Sequence, residues 1–425
     1  MTPAWIDSEN PQALPISAAC SMHSCDGPPP EPCLANPGAA APKPHEQNRR
    51  KSNLASTFPH DPSELRCADL TRLVRSLHPQ VEVVDFKVVE NKTFAAGTDD
   101  VSTAGRISAD VELRGDGADS IARRWMIKVC RPDLGDIPLY ENEVAFYTRL
   151  RSEVDVEVPV CFGGLYEPDK TGFAIALEDL RLRDVHFANV KSEVTIDQIR
   201  SLLRSLAALH ARYWESPRFE TDLAWVQPHT SGALYTMFNH PDAVPASIAK
   251  HVEMYQFKTE LVEAAGQTVD GLYHEFRKLQ KHQANLPQTL CHGDSHIGNA
   301  YLLPDGGTGL LDWQLMARGY CLHDVTYLMM TGLSVATRRR HQKELLDFYR
   351  AQLVERGIED APSPDELWLE YRRAAIWGVY IGWLTTETMN YGWDICVNNH
   401  IRLFTAYQDL ECSEALADLP DAGSF

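Results

Sequence analysis

Leu290-Cys291-His292-Gly293-Asp294-Ser295-His296-Ile297-Gly298-Asn299, followed by Leu310-Leu311-Asp312-Trp313-Gln314, carries more information than any other part of this chain. A carboxylate at 294 and an amide at 299 stand in a short polar turn, and a second carboxylate, Asp312, ends an apolar run beyond a hairpin. Those side chains are what is needed to hold magnesium beside a phosphoryl group and to aim a hydroxyl at it. Phosphoryl transfer leaves the protein little covalent work, so the site must neutralise phosphate charge, fix the metal and align the acceptor. Asp294 fits the base that orients an acceptor hydroxyl and takes its proton. Asn299 and Asp312 offer hard oxygen ligands to Mg2+. His292 reads as a brace for the turn, with Ser295 and His296 given no role. The bland alternative is a polar loop between two apolar runs.

Upstream, Arg124-Trp125-Met126-Ile127-Lys128-Val129-Cys130 alternates like a strand, and Lys128 can send its ammonium to nucleotide phosphates. Fifteen residues on, Glu143 shares a helical face with Phe146, Tyr147 and Leu150 and can hold that lysine in place. The other reading of this pair is a surface lysine and a surface glutamate that never meet. Val81–Val89 and Gly105–Leu113 also alternate like strands, after a helix start near Asp61–Leu65. The small, polar stretch Phe94–Gly105 between them is long enough to fold over a phosphate tail, although it is not a Walker-type sequence. Gly172 to Leu180 is an apolar strand ending in Glu178-Asp179 and reads as the crossing between two lobes. Beyond it, Leu202, Leu203, Leu206, Leu209, His210 and Tyr213 form a stripe of helical period, and 248–284, 334–356 and 365–415 look similar.

The organisation expected is therefore a proline-rich, disordered tail over 1–62, a sheet-rich small lobe over 63–178 and a helical lobe over 179–425. Cys20, His23, Cys25 and Cys33 in the tail match no zinc spacing and read as incidental. Lys and Arg number 40 against 59 Asp and Glu, a formal charge of -19, which would repel a phosphate backbone and argues against nucleic acid as a partner. Ten scattered cysteines show no paired framework, so a reducing, cytoplasmic setting is expected. No basic or apolar leader is visible. The longest apolar run, Ala374 to Leu384, is about half the roughly twenty residues of a membrane span. Oligomeric state cannot be read from the sequence.

The His292-Gly293-Asp294 and Asn299 arrangement with Asp312-Trp313-Gln314 resembles the aminoglycoside phosphotransferase and choline kinase superfamily, closest to its ecdysteroid-kinase-like branch. Glu143 with Phe146-Tyr147, Leu177-Glu178-Asp179-Leu180, Ala207-Ala208-Leu209-His210-Ala211 with Trp214, and His323-Asp324-Val325 carry the likeness further, over about 80 to 410. The resemblance implies an α+β, protein-kinase-like fold with a five-stranded antiparallel small lobe and a larger, mostly helical lobe. It implies ATP and Mg2+ as cofactors and a small-molecule alcohol as acceptor. By the same likeness Asp294 is the catalytic base, Asn299 and Asp312 bind magnesium, and Lys128, oriented by Glu143, binds the nucleotide phosphates. The adenine lies on the backbone around Leu177, Glu178 and Leu180, and Asp324 is a structural acid. Trp313-Gln314 stands where protein kinases carry Phe-Gly, and no Ala-Pro-Glu follows, which favours a small acceptor over a protein. Glu387, Tyr391, Trp393 and Asp394 are candidates for an acceptor wall, the alternative being ordinary core and rim residues. A nucleotide-binding regulator without catalysis, and a protein kinase, are the rival readings.

Overall fold

The computed structural model describes residues 57–92, 104–131, 139–167, 172–386 and 388–423. The proline-rich stretch with its Cys20, His23, Cys25 and Cys33, most of the Phe94–Gly105 loop, and Glu387 lie outside these.

The chain opens with α1 (Cys67–Arg75), β1 (Val81–Asn91), β2 (Gly105–Gly115), β3 (Arg124–Val129), α2 (Leu139–Ala145), β4 (Cys161–Glu167) and β5 (Gly172–Glu178). The five strands form one antiparallel sheet in the order β1-β2-β3-β5-β4. The helix expected over 140–150 is α2 continued by a π-helical turn, Phe146–Leu150.

Side chains alternate across a strand, and here the two faces enter two different cores. Ala174 and Ala176 of β5, with Trp125, Ile127 and Val129 of β3, pack with Leu70, Leu73 and Val74 of α1. Phe173, Ile175 and Leu177 face the other way and join Tyr140, Val144 and Phe146 in the core shared with the helical lobe. Lys128 lies opposite Ile175 in the β3–β5 register, so the same alternation turns it toward α2. The parity of one strand thus chooses which residue can meet Glu143.

After β5, Asp179 caps a 3-10 turn, Leu180–Leu182. The helical lobe follows: β6 (His186–Phe187), α3 (Ile196–Arg212), α4 (Gly232–Asn239), α5 (Ala243–Met254), α6 (Gln256–Ala264), α7 (Val269–Gln283), β7 (Thr289–Cys291), β8 (Ala300–Leu302), β9 (Thr308–Leu310), β10 (Ala317–Gly319), α8 (Leu322–Gly332), α9 (Val335–Glu355), α10 (Pro364–Trp377), α11 (Thr388–Tyr391), α12 (Trp393–Asp409) and α13 (Cys412–Ala417). Thr195 caps α3 with a reciprocal bond from Gln198, and Ser363 does the same for α10 with Glu366, each satisfying donors the first turn would leave bare. Every residue of α8 is buried. The apolar run that ends α10 continues as a π-helical segment, Gly378–Leu384. Among the described residues no helix is long and apolar enough to cross a membrane.

Two small sheets, one of β10-β7 and one of β6-β8-β9, bring the polar segments together. β7 pairs with β10, and β8 pairs with β9. Asp294 lies in the loop from β7 to β8, and Asp312 in the loop from β9 to β10. Because each of these pairings takes one strand from either side, the loops are forced next to each other.

Candidate active site

The loop from β7 is built on buried hydrogen bonds. His292 lends its backbone N–H to one oxygen of Asp324 at 2.6 Å, and Gly293 lends its own to the other at 2.9 Å. The His210 ring also meets Asp324, at 3.1 Å. Burial would raise the Asp324 carboxyl, but the His210 hydrogen bond and the nearby histidines outweigh it and hold it well below the carboxylate range. Ser295 Oγ donates to the Asp324 carbonyl at 2.8 Å, and the His323 ring meets the Gly293 carbonyl at 2.9 Å. Gly293 has φ 84°, and a Cβ there would sit 1.8 Å from the Leu315 carbonyl oxygen, so glycine alone fits.

His292 itself is fully buried. Its Nδ1 accepts the Asp294 N–H at 3.2 Å, so a neutral ring carries its proton on Nε2, which donates to the Leu311 carbonyl at 2.8 Å. One imidazole therefore links the residue before Asp312 to Asp294. Its role as a brace is what this geometry supports.

Asn299 gives its amide nitrogen to the Asp294 carbonyl at 2.8 Å and to its carboxylate at 3.0 Å. That leaves the amide oxygen as the atom to offer a cation. The Leu311 N–H donates to the Asn299 carbonyl at 2.8 Å, which fixes Asn299 one residue from Asp312. The Tyr391 hydroxyl, raised by burial, also feels the charges of Asp294 and Asp312. Geometrically the two carboxylates are tied into one cluster through Asn299, whose amide meets Asp294 and whose carbonyl takes the Leu311 N–H.

Lys128 completes it. Its ammonium lies 2.7 Å from both oxygens of Glu143 and 3.6 Å from Asp312 Oδ1. Burial pulls the ammonium pKa down, but the charges of Asp312 and Glu143 outweigh it and raise it above the ordinary lysine value. Burial lifts the Glu143 carboxyl, with Lys128 opposing; the bidentate contact keeps the proton on the lysine. The pair is not a chance surface encounter, since Glu143 is buried.

Asp312 Oδ1 is buried and makes no hydrogen bond. An acceptor-only oxygen so placed, beside an amide oxygen and a second carboxylate, is the hard donor set that Mg2+ takes, so these residues fit the cation.

At the lobe crossing, Leu177 and Leu180 are buried. The Glu178 N–H donates to the Val160 carbonyl at 2.8 Å. Its carboxylate accepts from Val160 N–H and from Arg183, each at 3.0 Å. Of the acceptor-wall candidates, Tyr391 is half-buried. Trp393 is 58% exposed and meets Phe257 edge-on at 5.2 Å, and Asp394 is exposed 4.0 Å from Lys191; both stand on the first turn of α12. The sequence reading missed an aromatic cluster nearer Asp294. His296 Nε2 lies 3.8 Å from the Asp294 carboxylate, and its ring packs with Tyr327 at 5.7 Å and Trp383 at 6.3 Å. Trp383 in turn lies 5.6 Å from Tyr391. It also missed Asn142 and the stacking of Trp313 on Phe146.

Among solved structures, the chain is similar to choline kinase LicA from Streptococcus pneumoniae, with 13% identity over 76% of this chain and 94% of that one and a TM-score of 0.37. It is similar to the Plasmodium vivax ethanolamine kinase, with 13% identity, 79% and 85% covered and a TM-score of 0.44. It is similar to the GDP complex of aminoglycoside 2'-phosphotransferase-IIIa, with 13% identity, 81% and 99% covered and a TM-score of 0.44. No curated protein matches it. Residues 101–359, more than half the chain and a span holding Lys128, Glu143, Asp294, Asn299 and Asp312, match the ecdysteroid kinase-like family, and the chain belongs to that family.

Proposed function

We propose that the chain moves the γ-phosphoryl group of ATP to a hydroxyl of a small molecule. The observation that carries this reading is the meeting of the buried Lys128–Glu143 pair with Asp312 in the cleft that also holds Asp294 and Asn299. Lys128 neutralises nucleotide phosphate charge, and Glu143 keeps its ammonium aimed. The nucleotide base lies against the crossing at Leu177, Glu178 and Leu180. Asp294 accepts the acceptor's hydroxyl proton as the new oxygen–phosphorus bond forms and the bond to the ADP oxygen breaks. Asn299 and Asp312 would hold Mg2+, which when bound supplies positive charge to the phosphate oxygens. His292 keeps Asp294 and Leu311 in register.

The acceptor lies against His296, Tyr327, Trp383 and Tyr391, an aromatic wall beside a carboxylate. An amino alcohol, a sugar, an antibiotic or a steroid-like alcohol would meet apolar faces there and present one hydroxyl to Asp294. Incubation of the protein with a metabolite pool, γ-labelled ATP and Mg2+ tests the reading. Labelled small-molecule product with the wild type and none with Asp294→Ala is expected. Tight ATP binding without transfer to any hydroxyl compound would favour a non-catalytic regulator, and label on proteins alone a protein kinase.

A further inference from the structure

Asp312 stands in a backbone conformation that most residues other than glycine avoid. Its φ of 61° and ψ of 76° lie in the left-handed region, which persists only where the surroundings hold it. Upstream, Leu311 is held by His292 and Asn299. Downstream, the holding groups come from the other lobe. Trp313 stacks on Phe146 with ring centroids 3.6 Å apart and 5° between planes. Asn142, on α2, donates its side-chain amide to the Gln314 carbonyl and to the Met316 carbonyl, each at 3.1 Å.

Both carbonyls need a donor, and the two N–H groups of one carboxamide supply them. Leucine at 142 would have the same size and no donor. Aspartate would set acceptor oxygens against two carbonyl oxygens. The next residue along α2 is Glu143, which holds Lys128. Consecutive residues of one helix therefore grip the phosphate lysine on one side and the turn of the metal aspartate on the other.

We infer that Asn142 is a positioning residue for the cation: α2, through Asn142 and the Phe146–Trp313 stack, sets the left-handed turn that presents Asp312. This rests on the phosphotransferase reading, because it takes Asp312 to be a cation ligand. Divalent-cation affinity should then depend on a residue that touches neither the cation nor the nucleotide.

The test is Mn2+ binding to the full chain, followed by electron paramagnetic resonance with β,γ-methylene-ATP present, for wild type, Asn142→Leu and Asn142→Asp. Loss of two hydrogen bonds should weaken Mn2+ binding about tenfold in Asn142→Leu, and further in Asn142→Asp. Metal-free ADP, which does not need Asp312, should bind within about twofold of wild type, which separates positioning from general loosening of the fold. Should Asn142→Leu fail to fold, Asn142→Ala, which removes the donor without adding bulk or charge, carries the comparison. Mn2+ affinity equal to wild type, or an equal loss for Mn2+ and for metal-free ADP, overturns the inference and leaves the phosphotransferase reading standing. A wild type that binds no Mn2+–nucleotide overturns both.

Discussion

Asp324 reaches from α8 to take the backbone N–H of Gly293 at 2.9 Å, and its other oxygen takes that of His292. A buried carboxylate with three donors is therefore the floor on which the Asp294 loop rests. Asp324→Asn keeps the shape but turns an acceptor oxygen into a donor facing an N–H. The expected loss is about 2–4 kcal/mol of unfolding free energy, measured by urea denaturation, with kcat reduced in the fraction that stays folded. Because the folded carboxyl is held low, its stabilisation is present above the unfolded value and fades only as pH falls through the lowered one. The difference between wild type and variant should therefore be constant from pH 8 to pH 5.

Gly293→Ala tests the left-handed turn itself. A methyl group would meet the Leu315 carbonyl oxygen at 1.8 Å, on a backbone with φ 84°, so the 3-10 turn after Asp312 must move. The expected result is at least about 2 kcal/mol of destabilisation with near-complete loss of phosphoryl transfer. Gly306→Ala serves as a comparison, since it also has positive φ but nothing stands within 4 Å; it should lose only the roughly 1–2 kcal/mol of the conformational term.

Lys128→Met and Asp312→Asn should separate nucleotide from cation. On the phosphotransferase reading the first removes the charge aimed at the phosphates and the second the charge aimed at the cation, each change worth about 10²–10³ in rate. Lys128→Met should also leave Glu143 buried beside an apolar side chain, so its carboxyl should titrate upward. A labelled-ATP assay over Mg2+ concentration should show raised KM for ATP in Lys128→Met. Asp312→Asn should instead show an increased Mg2+ requirement.

His400 is fully buried, and its Nδ1–H donates to the Cys396 carbonyl at 2.7 Å. Burial first, and then the charge of Lys258, push its pKa down to about 3. The unfolded imidazole gains its proton near pH 6.5 while the folded one stays neutral, so stability falls as pH drops from 6.5 toward that value. The slope is about 1.4 kcal/mol per pH unit for one such histidine. Burial drives His229 to about 3 as well, so His400→Leu should shallow the slope without flattening it. Chemical denaturation at pH 7, 6 and 5 reads this directly, and an unchanged slope in His400→Leu would refute it.

The lobes, the strand bearing Lys128 and the helix bearing Glu143 were legible because each rests on short-range alternation or a local stripe. The Asp294 turn was legible as a polar turn because its hydrogen-bonding side chains are concentrated in ten residues. Asn142 was not: its partners, Gln314 and Met316, are 172 and 174 residues away, and an asparagine on a helix carries no local sign of which carbonyls it will meet. Trp393 and Asp394 were candidates for an acceptor wall beside the reading as ordinary core and rim residues; Gly392 at φ 80° starts α12, and both stand exposed at its first turn. Trp383 and Tyr327 sit in apolar runs whose period says buried and not that their rings will pack with His296 beside Asp294. The π-helical continuation through Gly378–Leu384 is likewise invisible in an uninterrupted apolar string.

The division of β3 and β5 between two cores bears on how chain length varies among relatives. A single residue inserted within β3 would send Ile127 toward Glu143 and bury the ammonium among the side chains of α1. Gaps in an alignment of this family should therefore collect in the connections, such as 132–138 between β3 and α2, while the count from Trp125 to Lys128 stays invariant even where nearly every other letter has drifted.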